Sequence, residues 1–542
     1  MSARLLSRLC AAALALAPVA ADAYFVPRHA APLPGLVDRN SYTPACNRFG
    51  FFTNGATETA TLSFLGHTHC VSPTYATDHV RIVVSNFIVW GDGRAAPEAC
   101  PSKMLTVDFA TIFISGVAYP VTFGGQTSIA LANCQAAISD PLRDASGNIV
   151  SLPAQTTYYV RISRTLPAGG GVMPTTGAYS VNPVAANSYA GGLTDDGFGG
   201  YSTPQTALRL SGTVPAGNGV GSFSSTPTMV VAQGWDGTPV YGIFGDSIGY
   251  GYEDADYRSA YTTGSGAIQR ALWDAASGRR NFQSFAIPGT APDTQASIAV
   301  GQWAYRVGVL RLIGNLPFNQ IISNMGQNSP QIGGGALAQW KIVEGQYWAF
   351  LHGLCPGCHI YQVTFPSHAG TTNSLLRMTT QAEQTSDYPN GARWLAGAWL
   401  AANAGLPSYV TGVDLTTAFT TGSGFTDNPG NWPTTPWSGT LAAAWSSGKS
   451  VSVSAATAPL FGALIVFDPG VSGHTQSCDV MNVTGSASPW TVALDCNPSP
   501  AHALGEPISL SLTGDGSGTH PGAPLYEAAA QALIALKGTV LP

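Results

Sequence analysis

Two short segments carry residue types that could share one reaction. Gly245-Asp246-Ser247-Ile248-Gly249 places a serine among small residues directly after the apolar run 240–244. A serine where a strand turns into a helical segment projects its hydroxyl from the carboxyl edge of a sheet, with backbone N–H groups facing the same space. Near the other end, Asp515-Gly516-Ser517-Gly518-Thr519-His520-Pro521 precedes the alanine-rich apolar run 525–536. A histidine can take the proton of a serine hydroxyl, and a carboxylate on its second nitrogen holds the tautomer that accepts it. Ser247, His520 and Asp515 thus suit nucleophile, general base and orienting acid. Taken singly, each segment also reads as a glycine-rich turn holding an incidental serine or a solvated histidine.

Such residues need a scaffold, and after Gly237 the sequence alternates strand-like and helix-like runs. Runs 240–244, 282–287, 320–325, 359–365 and 409–415 read as strands, and 268–276, 336–354, 392–404 and 525–536 as helices. This alternation predicts parallel βαβ units. The second strand ends in Ala286-Ile287-Pro288-Gly289-Thr290 and the third in Asn324-Met325-Gly326-Gln327-Asn328-Ser329. Both loops open at the edge that carries Ser247. The Gly289 N–H and the Asn328 amide can therefore join the Ser247 N–H as donors to an oxyanion.

These four blocks, in this order and on these elements, resemble the SGNH (GDSL-type) hydrolase family, whose blocks are GDS, a glycine, G-x-N and D-x-x-H-P. The resemblance covers about residues 238–415 and 511–540. It implies an α/β protein with a three-layer α/β/α, flavodoxin-like hydrolase domain. It also implies ester hydrolysis through an acyl-enzyme on Ser247, with His520 as general base. Ser247, Gly289 and Asn328 would form the oxyanion hole, and the chemistry needs no metal or organic cofactor. The last block departs from the pattern, because Asp515 lies five residues before His520 and Ser517 occupies the third preceding position. Either the extra residues bulge in the glycine-rich loop and Asp515 completes a triad, or a backbone carbonyl orients the imidazole of a Ser-His dyad. GDSIG also fits the G-x-S-x-G elbow of α/β-hydrolases. That elbow normally follows several strands of its sheet, whereas Ser247 follows the first.

A length of 542 residues allows about three domains. With 10% charged residues, 63 glycines and 38 prolines, the chain is neither a coiled coil nor a highly charged disordered segment. Lys and Arg number 23 against 29 Asp and Glu, a net charge of -6 with no long basic run, so nucleic acid is not an expected partner. Arg4 and Arg8, an apolar run over 9–20 and Ala21-Asp22-Ala23 have the layout of a secretory signal, which predicts an extracellular or periplasmic protein. No other stretch has the apolar length of a membrane span. Cys10 lies in the signal, and the other eight cysteines pair most readily across short loops. The expected pairs are Cys46 with Cys70, Cys100 with Cys134, Cys355 with Cys358, and Cys478 with Cys496.

The expected organisation is a signal over 1–23, a Pro/Ala-rich arm over 24–45, an all-β sandwich or jelly-roll-like domain over 46–236, and the hydrolase over 237–415 and 511–542. Residues 416–510 are too many for a structureless loop and read as a β insertion. A β-rich region beside such a hydrolase resembles acetyl esterases acting on polysaccharides. The expected partner is therefore an ester substrate, an acylated carbohydrate ahead of a lipid or polyester. The non-enzyme alternative is an inactive surface carbohydrate-binding protein, which the irregular last block favours. Three weaker signals remain. Cys355-Pro356-Gly357-Cys358-His359 fits either haem attachment or a disulfide turn. His67, His69 and His79 could share a metal ion. Trp432, Trp437 and Trp445 could stack on sugar rings or pack inside the insertion.

Overall fold

The computed structural model describes residues 38–47, 49–57, 60–90, 96–175, 197–212, 226–251, 254, 266–299, 301–364, 369–371, 381–383, 392–415, 437–460, 462–469, 474–494, 496–512, 521 and 523–542. The expected signal and most of the arm lie outside them. Five parallel strands, β1 (Val240–Phe244), β2 (Asn281–Ser284), β3 (Gln320–Ser323), β4 (His359–Val363) and β5 (Val410–Val413), pair in the order β2-β1-β3-β4-β5. Strand order reverses at β1, so a crevice opens outside the carboxyl ends of β1 and β3.

All of β1 is buried, as a strand covered on both faces must be. Alternate residues feed two clusters. Val240, Phe244, Ile321, Ile360 and Val410 join residues of the helices Ala304–Ile313, Leu337–Leu354 and Ala392–Ala402. Tyr241, Ile243, Ile322, Tyr361 and Val413 join residues of the helices Ala267–Trp273 and Ala523–Ala535. With the single turn Ser247–Tyr250 counted first, the helices used below are α1 (Ser247–Tyr250), α2 (Ala267–Trp273), α3 (Ala304–Ile313), α4 (Leu337–Leu354), α5 (Ala392–Ala402) and α6 (Ala523–Ala535).

The N-terminal region folds as antiparallel sheets. One orders Thr43–Pro44, Met229–Gln233, Asp78–Ser85 and Ala136–Ile138, and the other centres on Leu62–Val71, Thr157–Leu166 and Met104–Ile114. Val80, Ile82 and Val84 meet Ile112, Val160 and Ile162 between the two sheets. The opposite face of the first sheet, with Val83, Met229 and Val231, belongs to the same cluster as Phe244 and Phe285. The β region therefore shares a core with the parallel sheet. Polar bonds reinforce the junction: the Asn47 side chain accepts from Phe282 N–H at 3.2 Å, and Gln283 Nε2 donates to Phe49 O at 2.7 Å. These contacts cover the outer edge of β2, which would otherwise expose unpaired backbone.

A buried ion pair also crosses the junction. The Glu98 carboxylate accepts from the backbone N–H groups of Tyr305 and Arg306 at 2.8 and 3.0 Å and from Arg306 Nε at 2.9 Å. It thus supplies the missing acceptors of the first turn of α3 from a distant segment.

Residues 438–511 close into a six-stranded barrel in the order Ser438–Leu441, Ser450–Ala455, Trp490–Leu494, Gln476–Thr484, Leu464–Phe467 and Pro507–Ser511. Trp445 fills its interior at 2% exposure, beside Phe467 at 4.8 Å between ring centroids. It packs the barrel rather than offering a sugar platform. Trp437 is half-buried and bonded to Thr457 O, and Trp432 lies outside the described residues. All four expected disulfides are formed.

Glu98→Ala leaves the Arg306 guanidinium buried without its carboxylate. We expect a loss of about 3–5 kcal/mol in urea unfolding; a loss under about 1 kcal/mol would show that the pair does not hold the junction.

Candidate active site

Ser247 opens α1 directly beyond β1, and Asp246 is its N-cap, accepting from Ile248 N–H at 3.0 Å. The same Asp246 oxygen accepts from Asn324 Nδ2 at 2.7 Å. Asn324 is the first residue after β3, and its own N–H donates to Phe244 O at 3.1 Å. Its side-chain oxygen lies so close to the β1–α1 turn that a Cβ at Gly245 would meet it at 1.7 Å and one at Gly249 at 2.1 Å. The two glycines flanking Ser247 are thus required by the asparagine of the neighbouring strand.

The second loop is tied to the same turn. Ile287 N–H donates to Gly245 O at 2.9 Å, and the Thr290 hydroxyl donates to Ile287 O at 2.7 Å. Gly289, between them, has φ +72°, the left-handed region that favours glycine. On the third loop, Asn328 Nδ2 donates to Thr290 O at 3.2 Å. Ser247, Gly289 and Asn328 therefore sit on three loops joined by short bonds at the carboxyl end of the sheet. Ser247 is 6% exposed, while Gly289 and Asn328 are half-buried. His520 and Asp515 lie outside the described residues. Leu512 before them and Leu525 after them both pack in the cluster that contains Ile248.

Two supports stand behind these loops. Gln362 Nε2 donates to Met325 O at 2.8 Å and its oxygen accepts from Trp348 Nε1 at 3.1 Å, which braces the third loop against α4. Asp254 accepts from Gly266 N–H at 2.7 Å and from Arg270 Nε at 2.9 Å, and Arg270 Nη1 reaches Glu527 at 3.0 Å. This network joins the segment after α1 to α2 and α6. Burial first, and then the negative charge of Asp246, hold the Glu344 carboxyl on α4 well above the usual carboxylate range.

Asn324, Asp254 and Arg270 escape the sequence reading. The available signal for Asn324 was the pair of glycines four apart, Gly245 and Gly249. Among the weaker signals, Cys355 and Cys358 are bonded to each other, which consumes both sulfurs that haem attachment needs. His67 stacks on Tyr159 at 5.0 Å and His79 bonds its neighbour Asp78 at 2.7 Å, so these histidines do not gather around one point. Ser247 follows β1, the first strand of its sheet along the chain, unlike an α/β-hydrolase elbow.

No protein-family model matches the chain, and no curated protein matches it. Among solved structures, a carbohydrate esterase family 2 enzyme with a carbohydrate binding domain from Corynascus thermopiles (Myceliophthora fergusii) aligns at 15% identity. The alignment covers 61% of this chain and 89% of that one, with a TM-score of 0.23. A salicylyl-acyltransferase from a tetracycline biosynthetic pathway aligns at 12% identity over 69% and 76% of the two chains, TM-score 0.23. An acetyl xylan esterase from the rumen bacterium Butyrivibrio proteoclasticus aligns at 11% identity over 69% and 89%, TM-score 0.23. Overlaps this loose fix neither the family nor the fold.

Gly249→Ala drives a methyl into Asn324, and we expect a loss of about 1–3 kcal/mol in urea unfolding. Combined with Asn324→Ala, the cost should fall below the sum of the two single changes; strict additivity would refute the contact. Glu344→Gln tests the buried carboxyl. A raised folded-state value means that its stabilisation is complete below the ordinary carboxylate range of about 4.3 and is lost as pH rises through the folded value. Wild-type Tm should therefore decline relative to Glu344→Gln from about pH 4.5 upward; parallel pH profiles would contradict this.

Proposed function

We propose that the protein is a serine esterase of the SGNH (GDSL-type) kind, with α2 and α6 on one sheet face and α3, α4 and α5 on the other as its three layers. The observation that carries this reading is the joining of the Ser247, Gly289 and Asn328 loops through Gly245 and Thr290. We take the Ser247 hydroxyl, the Ser247 and Gly289 N–H groups and the Asn328 amide as the groups that face the crevice outside β1 and β3. Asn328 spends one amide N–H on Thr290 O, and among the described residues nothing takes the second, which we assign to the oxyanion.

In the proposed reaction, Ser247 Oγ attacks the ester carbonyl carbon while His520 takes its proton. Negative charge collects on the carbonyl oxygen, opposite the Ser247 and Gly289 N–H groups and the Asn328 amide. Collapse expels the alcohol, which takes the proton from His520. Water, deprotonated by the same histidine, then releases the acid and regenerates Ser247. The shared cluster of Leu512, Leu525 and Ile248 supports a position for His520 near this crevice. We put forward an O-acylated carbohydrate as substrate, ahead of a lipid or polyester, and a secreted location from the signal-like first residues.

Purified protein should hydrolyse p-nitrophenyl acetate, and both Ser247→Ala and His520→Ala should abolish turnover. Asp515→Asn should lower kcat by about 10⁴ if Asp515 orients the histidine and leave it almost unchanged in a dyad. Absence of wild-type turnover on acetate, butyrate and octanoate esters and on acetylated polysaccharide, together with retention on insoluble polysaccharide, would replace the enzyme reading with a binding protein.

A further inference from the structure

The barrel holds a cluster that the esterase chemistry does not use. At one of its ends, His474, His502 and Glu506 offer ligand atoms that all lie within 4.8 Å of one another. His474 follows the strand Leu464–Phe467, and His502 and Glu506 lie on the connection that leads into Pro507–Ser511. His502 is 2% exposed, held beside Trp445 (5.6 Å, stacked) and Phe467 (5.0 Å).

Hydrogen-bond accounting shows what this cluster is prepared for. Gln476 Oε1 accepts from Ser499 N–H at 2.6 Å, and Gln476 Nε2 donates to Asn497 O at 2.7 Å, which fixes the orientation of the amide. His502 Nε2 lies 3.1 Å from that oxygen, so Nε2 carries a hydrogen and Nδ1 is the nitrogen left for a ligand. Nδ1 faces Glu506 Oε2 at 2.8 Å, while Glu506 Oε1 is held by Ala503 N–H at 2.6 Å. Nδ1 and a carboxylate oxygen at that separation share a positive centre, a proton or a cation. His474 is set in the same manner: its Nδ1 donates to Asp468 Oδ2 at 2.7 Å, leaving the lone pair on Nε2. A histidine whose second nitrogen is held by a side-chain oxygen is the usual arrangement of a metal ligand.

We propose that His474, His502 and Glu506 bind one zinc-class divalent ion, with Asp468 and Gln476 as the residues that orient the two imidazoles. Two nitrogens and one carboxylate oxygen suit zinc, and water from the open side completes a tetrahedron. Tetrahedral ligand atoms at zinc distances stand about 3.3 Å apart, so loading needs the His502–Glu506 pair to open by about half an ångström and His474, within 4.8 Å of both, to close by up to about 1.5 Å. The ion would join His474 to the connection that begins at Cys496, already bonded to Cys478. Pairing of Phe467 with Ile508 and of Leu464 with Ser511 puts this end on the far side of the last barrel strand from Leu512, about 13 Å along it. The role is therefore to staple the barrel, not to take part in ester chemistry.

The test is calorimetric titration of zinc chloride into untagged, chelator-treated full-length protein, with cobalt absorption as a second readout. We expect one equivalent bound, a tetrahedral cobalt band, and a raised Tm with zinc. His474→Ala, at a half-buried position, should weaken binding more than tenfold, and Asp468→Asn should weaken it 10- to 100-fold. Ester turnover should be the same with and without zinc, so failure of this site and failure of the esterase reading are separately visible. No stoichiometric binding, or binding indifferent to both substitutions in protein of unchanged near-UV circular dichroism, would overturn the proposal.

Discussion

The Asn324 amide pressed against the backbone of Gly245 and Gly249 is the contact on which the candidate site depends. It sets the spacing between the carboxyl ends of β1 and β3, orients Asp246, and through Asp246 fixes the first turn of α1 where Ser247 stands. No side chain fits between these backbones, so the position of the serine is decided by close packing rather than by a flexible loop. Thr290 then passes the same register to the other two loops through Gly245 O and Asn328.

Much of this was legible in advance where the signal is local. Strands fully covered on both faces read as short apolar runs, and the disulfides followed from loop length. The loops after β1, β2 and β3 could be found because strand ends are marked by Gly, Pro and Asn. What escaped reading has no period. Asn324 is one polar residue at a strand end, and its role depends on a partner 78 positions earlier. Glu98 and Arg306 are separated by 208 residues, and no hydropathy pattern links them. Trp445 stayed open between stacking on sugars and packing inside the insertion, because its enclosure requires six strands to close around it. Residues 42–45 looked like part of an arm because their partners are reached through main-chain and amide bonds, which leave no apolar pattern in the sequence.

The β region and the parallel sheet are held together by three kinds of force. Apolar residues from both share a cluster, Glu98 compensates a buried guanidinium, and Asn47 and Phe49 occupy the edge of β2. The ion pair contributes less net stability than its Coulomb energy suggests, since both charges leave water. It discriminates strongly between docked and undocked arrangements, because separating the regions would bury or strand one charge without the other. The barrel is built differently, around its own apolar interior and one disulfide.

Tyr42 exchanges two hydrogen bonds with Asn315 across 273 positions of sequence, and Thr43 pairs with Ala232. The N-terminal segment is synthesised well before the residues that hold it. At ordinary elongation rates the delay is roughly 15–55 s. During that interval the first antiparallel sheet lacks both an edge partner and the cover of one apolar face. Contacts of such long range slow the final search, and they leave the nascent chain dependent on whatever shields those surfaces until α3 has emerged.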